Sequence, residues 1–457
     1  MDFSNLLIGL DVGTTSVKAV LLTADGVEIA HGRAPTVWHT TQDGVETDPY
    51  GLAAAATDAM ADVLSSTPGA SVVAVGVASM AEAGVLVAAD DRPLAPVIAW
   101  HDRRDIRQLD DLAADLGAER FSLRTGLPPW TQWSLTKHRW LWENRPETRQ
   151  AARRYNIAEW VVRQLGGEPA SELSLASRTG WLDLQTATPW DESMEWSRAG
   201  RSVLGELVAA GTPLGRVHSE HPLRELRGAT LTVAGHDHQA AVIGAGAFED
   251  NDELDSCGTA EALLRTVAPK LPEDSISSLT SAGITVGWHA VRDKWCVLGA
   301  TQGGLILQTI MTQLGKDRRD LAGLDADALS APAGRASVAL GLIPPAFEFS
   351  GSNEPADRWR AATKAVTEQA RVLSDVISAA TGPRGQLVVT GGWSNSSSLI
   401  AAKAEALGPL MRTEAREAGA RGSALLAGLA HGTYNSYEQM PQPPRTSFTG
   451  AKSHQIS

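Results

Sequence analysis

The chain has 457 residues, about three times a soft per-domain length of ~150, so two large compact units are the expected division. Hydrophobic residues make up 43% and charged residues 20%, which excludes a disordered chain, and the formal charge of -13 carries no basic stripe, which argues against nucleic acid as a partner. Two cysteines, Cys257 and Cys296, exclude a disulfide framework and suit a reducing compartment.

The N-terminus has Asp2 and no Lys or Arg before a short apolar run, unlike a secretory signal. No apolar stretch approaches the roughly 20 residues of a membrane helix, so no membrane association and a cytoplasmic location are expected.

In chain order, Leu6 to Leu10 reads as a buried strand, Ser16 to Leu22 as a second and Val27 to Ala30 as a third, with "TADG" turning the last two. "DPYGLAAAATDAMADVL" has a Pro near its start and good helix formers after it; "SVVAVGVAS" and "GVLVAADD" return to strands. In "PPWTQWSLTKHRWLWENRPET", Trp133, Lys137, Trp140 and Glu143 recur at helical spacing, and Trp140 and Trp142 are read as packing residues. The strand "ATLTVAG" leads into "HDHQ", and a Gly- and Ala-rich stretch places the main boundary near Ala247. "GQLVVTGGWSNSSSLIAAKAEALG" is a strand, a glycine turn and a helix, and the polar, proline-containing tail from about residue 438 is expected to be loosely ordered. Sheet and helix alternate, so the class is α/β.

Neither a Gly-x-x-x-x-Gly-Lys-Ser/Thr loop nor a complete dinucleotide fingerprint occurs. Phosphate binding, if present, uses another device. In "LDVGTTS", Gly13, Thr14 and Thr15 can aim amides and hydroxyls at phosphate oxygens, whereas Asp11 would repel them. A divalent cation such as Mg²⁺ between acid and phosphate removes the conflict; a plain strand turn with a capping acid is the competing reading. Gly258 and Thr259 in "DSCGTAEALL" offer a second cluster of the same kind, or an ordinary hairpin turn. In "TGGWSNSS", Gly391 and Gly392 end a strand and could lie flat against an adenine, or the segment simply caps a helix. In "GHDHQ", Asp237 can accept a proton from a hydroxyl nucleophile, with a metal site, a salt bridge and a helix N-cap as alternatives. Glu82, between two strands, and Trp100, His101 and Asp102, after the next one, supply the acid and the indole face that a polyol or sugar site needs.

In their order, "IGLDVGTTSVKAVLLTADG", "PVIAWHDRR", "SLTKHRWLWENRPE", "SLASRTGWLDLQTATPW", "VAGHDHQAAVIGAGAF", "CGTAEALL", "VVTGGWSNSSSL" and "ARGSALLAGLA" resemble the FGGY family of carbohydrate kinases, from Leu6 to about Gly432. The resemblance implies two actin-like (ribonuclease H-like) ATPase domains, residues 1–247 for sugar and catalytic base and residues 248–457 for nucleotide, closing on ATP and sugar across a cleft. It implies Asp11 as the acid that helps hold Mg²⁺, and Gly13, Thr14, Thr15, Gly258, Thr259, Gly303, Gly304, Gly391, Gly392 and Asn395 as contacts to ATP. It implies Asp237 as the catalytic base, with Glu82, Trp100, His101 and His238 at the substrate. His236 and His238 depart from the glycine and the glutamine or asparagine that more commonly flank the family's acid. The expected activity is phosphorylation of a primary hydroxyl of a small sugar, ketose or polyol, and a homodimer is an open assembly. The alternative is a catalytically silent nucleotide and sugar sensor acting through a protein partner.

Overall fold

The opening strand does not stop before its acid. In the computed structural model, which describes residues 5–341 and 345–450, it runs Leu6–Val12 and pairs antiparallel with Ser16–Leu22, setting Asp11 opposite Lys18. The strand outlasts the expected end at Leu10 because the reversal is confined to Gly13, Thr14 and Thr15. The sheet has the order Thr230–His236, Val72–Ser79, Leu6–Val12, Ser16–Leu22, Glu28–Pro35, the first three strands parallel and the last pairings antiparallel.

Side chains alternate across a strand, so Leu6, Ile8, Leu10 and Val12 share one face and Leu7, Gly9 and Asp11 the other. The first set joins the core with Leu52, Ala56 and Met60 of the Pro49–Ser65 helix and with Trp160 and Val161 of Ile157–Leu165. Asp48 caps the Pro49–Ser65 helix by accepting from the Gly51 amide at 2.9 Å, and Pro49 fills its first position, where no amide bond is lost. The second face receives the helix Ala418–His431 at backbone contact: a Cβ on Gly9 would stand 1.9 Å from the Ala420 carbonyl oxygen. The same helix also meets Asp237–Ala245 closely, since a Cβ on Gly422 would lie 1.8 Å from the Ala240 carbonyl oxygen.

Compact units are therefore not consecutive halves. The first comprises Met1–Gly244, Ala268–Cys296 and Glu417–Gln442; the second comprises Ala245–Val267, Val297–Arg416 and Pro443–Ser457. In the second, Glu253–Cys257 pairs antiparallel with Glu261–Val267 and parallel with Leu387–Thr390, which continues to Leu410–Thr413. Ile306 and Ile310 of the Gly303–Gln313 helix, Trp359 and Val366 of Pro355–Thr381, and Leu399 and Ile400 of Ser397–Leu407 build its core. The tail is more ordered than its composition suggests. Arg445–Phe448 forms an edge strand on Leu410–Thr413, where the ladder supplies hydrogen bonds that a polar sequence does not advertise; residues from 451 onward lie outside the described residues. Among the described residues no helix is long and apolar enough to cross a membrane.

Replacing Gly422 by Ala puts a methyl group into backbone that cannot give way. We expect a loss of about 1–3 kcal/mol, read as a lower midpoint in urea at unchanged m, whereas Gly432→Ala, past the helix end, tests mainly its left-handed φ of 87°.

Candidate active site

The Thr230–His236 strand runs directly into the Asp237–Ala245 helix, so Asp237 stands in the first turn, where unsatisfied amides favour an anion. Its Oδ1 accepts from the His238 amide at 2.7 Å and lies 3.1 Å from Nε2 of His236. Burial would push the carboxyl up, but the charge of His238 and the hydrogen bond from His236 hold it down at about 2. Burial in turn lowers the His238 imidazole, against the pull of Asp237. The two imidazoles meet edge to face, 5.4 Å between centroids. Behind this junction, the His236 amide donates to Ser174 Oγ at 3.1 Å, and Ser174 Oγ donates to Glu172 Oε2 at 2.6 Å.

Asp11 shares this site. Burial first, and the charge of Asp237 second, push its carboxyl up to about 7, against the pull of Lys18. Among the described residues its Oδ1 is buried and accepts no hydrogen bond, while a Cβ on Gly419 would come 2.7 Å from Oδ2. The two carboxylates raise each other's proton affinity here, and one oxygen of Asp11 lacks a donor. That donor set fits a divalent cation with carboxylate and water ligands. The adjoining turn is braced from outside: Thr36 Oγ1 donates to the Gly13 carbonyl at 2.8 Å and the Trp38 indole to the Thr14 carbonyl at 2.7 Å. The Trp100 indole donates to Thr14 Oγ1 at 3.0 Å, which joins a residue expected at the sugar to one expected at the phosphate. His101 is exposed, edge-on to Trp100, and Thr15 is exposed at the tip of the turn.

Glu82 has a φ of 67° and a buried side chain, a strained placement that its surroundings enforce. Its carbonyl accepts from Ser134 Oγ at 2.8 Å and Arg154 Nη2 at 2.7 Å. Its Oε1 accepts from Arg178 Nε at 2.5 Å and Gln132 Nε2 at 3.1 Å. Arg178 also lies over the Trp133 ring, 5.2 Å from its centroid, and donates to Thr285 Oγ1 at 3.0 Å. The charges of Arg178 and Glu82 both act on His238, so Glu82 and Asp237 belong to one cluster. Arg178 and Gln132 are the partners that residue reading missed. Arg178 lies in "SLASRT", a segment noted only as part of a resemblance, and a buried Arg near a buried acid is visible only in three dimensions. Trp140 and Trp142 are half-buried outside the core, Arg104 lying over the first at 4.9 Å and Arg149 over the second at 4.8 Å.

The remaining predicted residues gather in the second unit. Gly258 and Thr259 form the hairpin turn between Glu253–Cys257 and Glu261–Val267, Thr259 exposed. Gly303 and Gly304 begin a helix pressed on that turn; a Cβ on Gly304 would be 1.8 Å from the Gly258 carbonyl oxygen, and the Leu305 amide donates to the Thr259 carbonyl at 2.8 Å. Gly391 has a φ of 91° and abuts Cys257, whereas Gly392 is exposed with nothing near its Cα face. Asn395 closes a short 3-10 turn, and the helix proper starts at Ser397, capped by Ser396, whose Oγ accepts from the Leu399 amide at 3.2 Å. Arg318 stacks on Trp393 beside this turn, 3.4 Å from its centroid.

The model of the N-terminal domain of the FGGY family of carbohydrate kinases matches residues 6–244. A glycerol kinase of Pseudarthrobacter chlorophenolicus is 28% identical over 473 residues, covering 95% of this chain and 91% of that protein. The solved xylulose kinase of Rhodospirillum rubrum superposes with a TM-score of 0.85 at 22% identity, covering 97% and 94% of the two chains. Plasmodium falciparum glycerol kinase with ADP gives 0.86 at 19% identity, covering 98% and 94%. These likenesses bear out the α/β class and the two actin-like units expected from sequence.

Two consequences are measurable. Arg178→Met leaves the Glu82 carboxylate buried without its cation, so a loss of about 3–5 kcal/mol is expected, with most of it recovered in the Arg178→Met, Glu82→Gln double variant. Burial raises Glu172 from 4.5 to about 7, so its contribution to stability is present below 4.5 and lost as pH rises through about 7. Relative to Glu172→Gln, the wild type should lose stability across that window and run parallel outside it, as urea midpoints at several pH values would show.

Proposed function

The chain belongs to the FGGY family of carbohydrate kinases, and from that premise we propose that it transfers the γ-phosphoryl group of ATP to a primary hydroxyl of a small, uncharged polyol or sugar, with Asp237 as the base. The observation that carries this reading is Asp237 at the start of a helix with its Oδ1 tied to His236 and His238, close enough to Asp11 for the two carboxyls to act on one another. The second oxygen of Asp237 is then the one to receive the acceptor hydroxyl. In the transfer, the acceptor oxygen bonds to the γ-phosphorus, the bond to the bridging oxygen of ADP breaks, and the hydroxyl proton passes to Asp237. A loose phosphoryl transition state asks little basicity of Asp237: the proton moves late, and orientation matters more than basicity.

Mg²⁺ fits beside Asp11, where it would neutralise charge developing on the phosphates. Thr14 and Thr15 are assigned to phosphate on the first unit, and Gly258, Thr259, Gly391, Gly392 and Asn395 to the nucleotide on the second. Glu82 offers Oε2 to an acceptor hydroxyl, since the bonds from Arg178 and Gln132 fall on Oε1. Trp100 offers its ring to C–H groups. An aldonate is disfavoured because Asp11, Asp237 and Glu82 cluster acidic charge and Arg178 is already engaged by Glu82. The glycerol kinase relatives point the same way.

Asp237→Asn should retain binding of ADP and acceptor by calorimetry yet turn over at least ~10²-fold more slowly, the scale of a lost general base. Undiminished turnover would remove Asp237 from the chemistry. A coupled ADP-release assay over glycerol, tetritols, ketopentoses and gluconate should show stimulation by a neutral acceptor; stimulation by gluconate alone would overturn the charge argument, and by none the transfer itself.

A further inference from the structure

Three turns of the second unit meet around a single buried ammonium group. Lys403, on the Ser397–Leu407 helix, is wholly buried, and its Nζ donates to Asp255 Oδ2 at 2.5 Å and to Glu261 Oε1. Those two acids sit on either strand of the hairpin whose turn is Gly258 and Thr259. Cys257 Sγ donates to the other oxygen of Asp255 at 3.2 Å. The free oxygen of Glu261 accepts from Thr301 Oγ1 at 2.7 Å, and Thr301 Oγ1 in turn accepts from the Gly303 amide at 3.2 Å. Gly304 then rests on the Gly258 carbonyl, and Gly391 on that of Cys257.

The arrangement has the look of a cation site, because the ligand atoms of Asp255, Cys257 and Glu261 lie within 4.8 Å of one another. Its cation is the lysine. As a stabilising device it is poor, since a buried ion cluster costs desolvation that a well-packed apolar replacement avoids. Burial indeed pushes Asp255 up to about 6 even with Lys403 beside it. What the cluster supplies instead is direction: each hydrogen bond fixes one backbone segment relative to the next.

We propose that Lys403 is a positioning residue for the nucleotide, holding the Gly258–Thr259 turn through Asp255 and Glu261 and the Gly303 amide through Glu261 and Thr301 in one shared arrangement. This inference rests on the assignment of nucleotide to these turns. Thr301→Val keeps the side-chain shape and breaks only the link between Glu261 and the Gly303 amide. In the full-length enzyme it should raise the calorimetric Kd for ADP and the KM for ATP by about tenfold, below the ~10²-fold that a 1 Å misplacement costs. The acceptor KM should stay unchanged, the thermal midpoint should fall modestly because Glu261 Oε2 loses its donor, and Thr301→Ser should restore wild-type values. Lys403→Met should weaken ADP at least as much where it folds, and Thr301→Val decides the matter where it does not. Gly258→Asp checks the underlying assignment by setting a carboxylate against the phosphates. If Gly258→Asp abolishes ADP binding while Thr301→Val leaves Kd and KM unchanged, the positioning inference falls alone; if Gly258→Asp binds ADP normally, the nucleotide assignment falls with it.

Discussion

A buried carboxylate oxygen without a donor is costly, and the first unit contains one in Oδ1 of Asp11, where the charge of Lys18 only partly offsets burial. Its position follows from strand alternation: Asp11 shares the face of Gly9, which the helix Ala418–His431 approaches at backbone contact. A larger residue at position 9, 419 or 422 would push that helix away and admit water to the acid. Close packing of glycines thus brings the helix start to the side of Asp11. Asp237 is in the opposite condition, satisfied twice at one oxygen by its histidine neighbours. One acid is poorly satisfied and the other well satisfied, and the proposed function gives them different tasks, a cation for the first and a hydroxyl for the second.

The second unit addresses a different problem, the alignment of three separate turns rich in glycine. Glycine permits close approach and an open backbone surface, but it brings no side chain to lock the result. The proposed lock lies a layer below, in a chain of hydrogen bonds from Asp255 through Lys403 and Glu261 to Thr301.

Much of the site was legible because its signals are local. Strand, small residues and an acid are consecutive at Asp11 and again at Asp237, and hairpin geometry follows from neighbours in sequence. Glu82 was legible as an acid between strands, though its left-handed backbone was not. The partners were hidden. Arg178 is 96 residues from Glu82, and Lys403 is 148 from Asp255. Without coordinates, a buried Lys in a helix reads like any surface lysine.

Strand and helix patterns by themselves indicated the α/β class, because period-2 strands and tight turns depend on nearest neighbours, and the ordered motifs carried a resemblance to a kinase family that drew Asp11 and Asp237 out of their local alternatives. Tertiary structure alone decided that residues 268–296 and 417–442 return to the first unit, that Trp100 bonds Thr14, and that Arg178 and Lys403 are buried on acids. Those outcomes depend on which distant surfaces exclude water together, a property of the packed chain that no local spacing encodes.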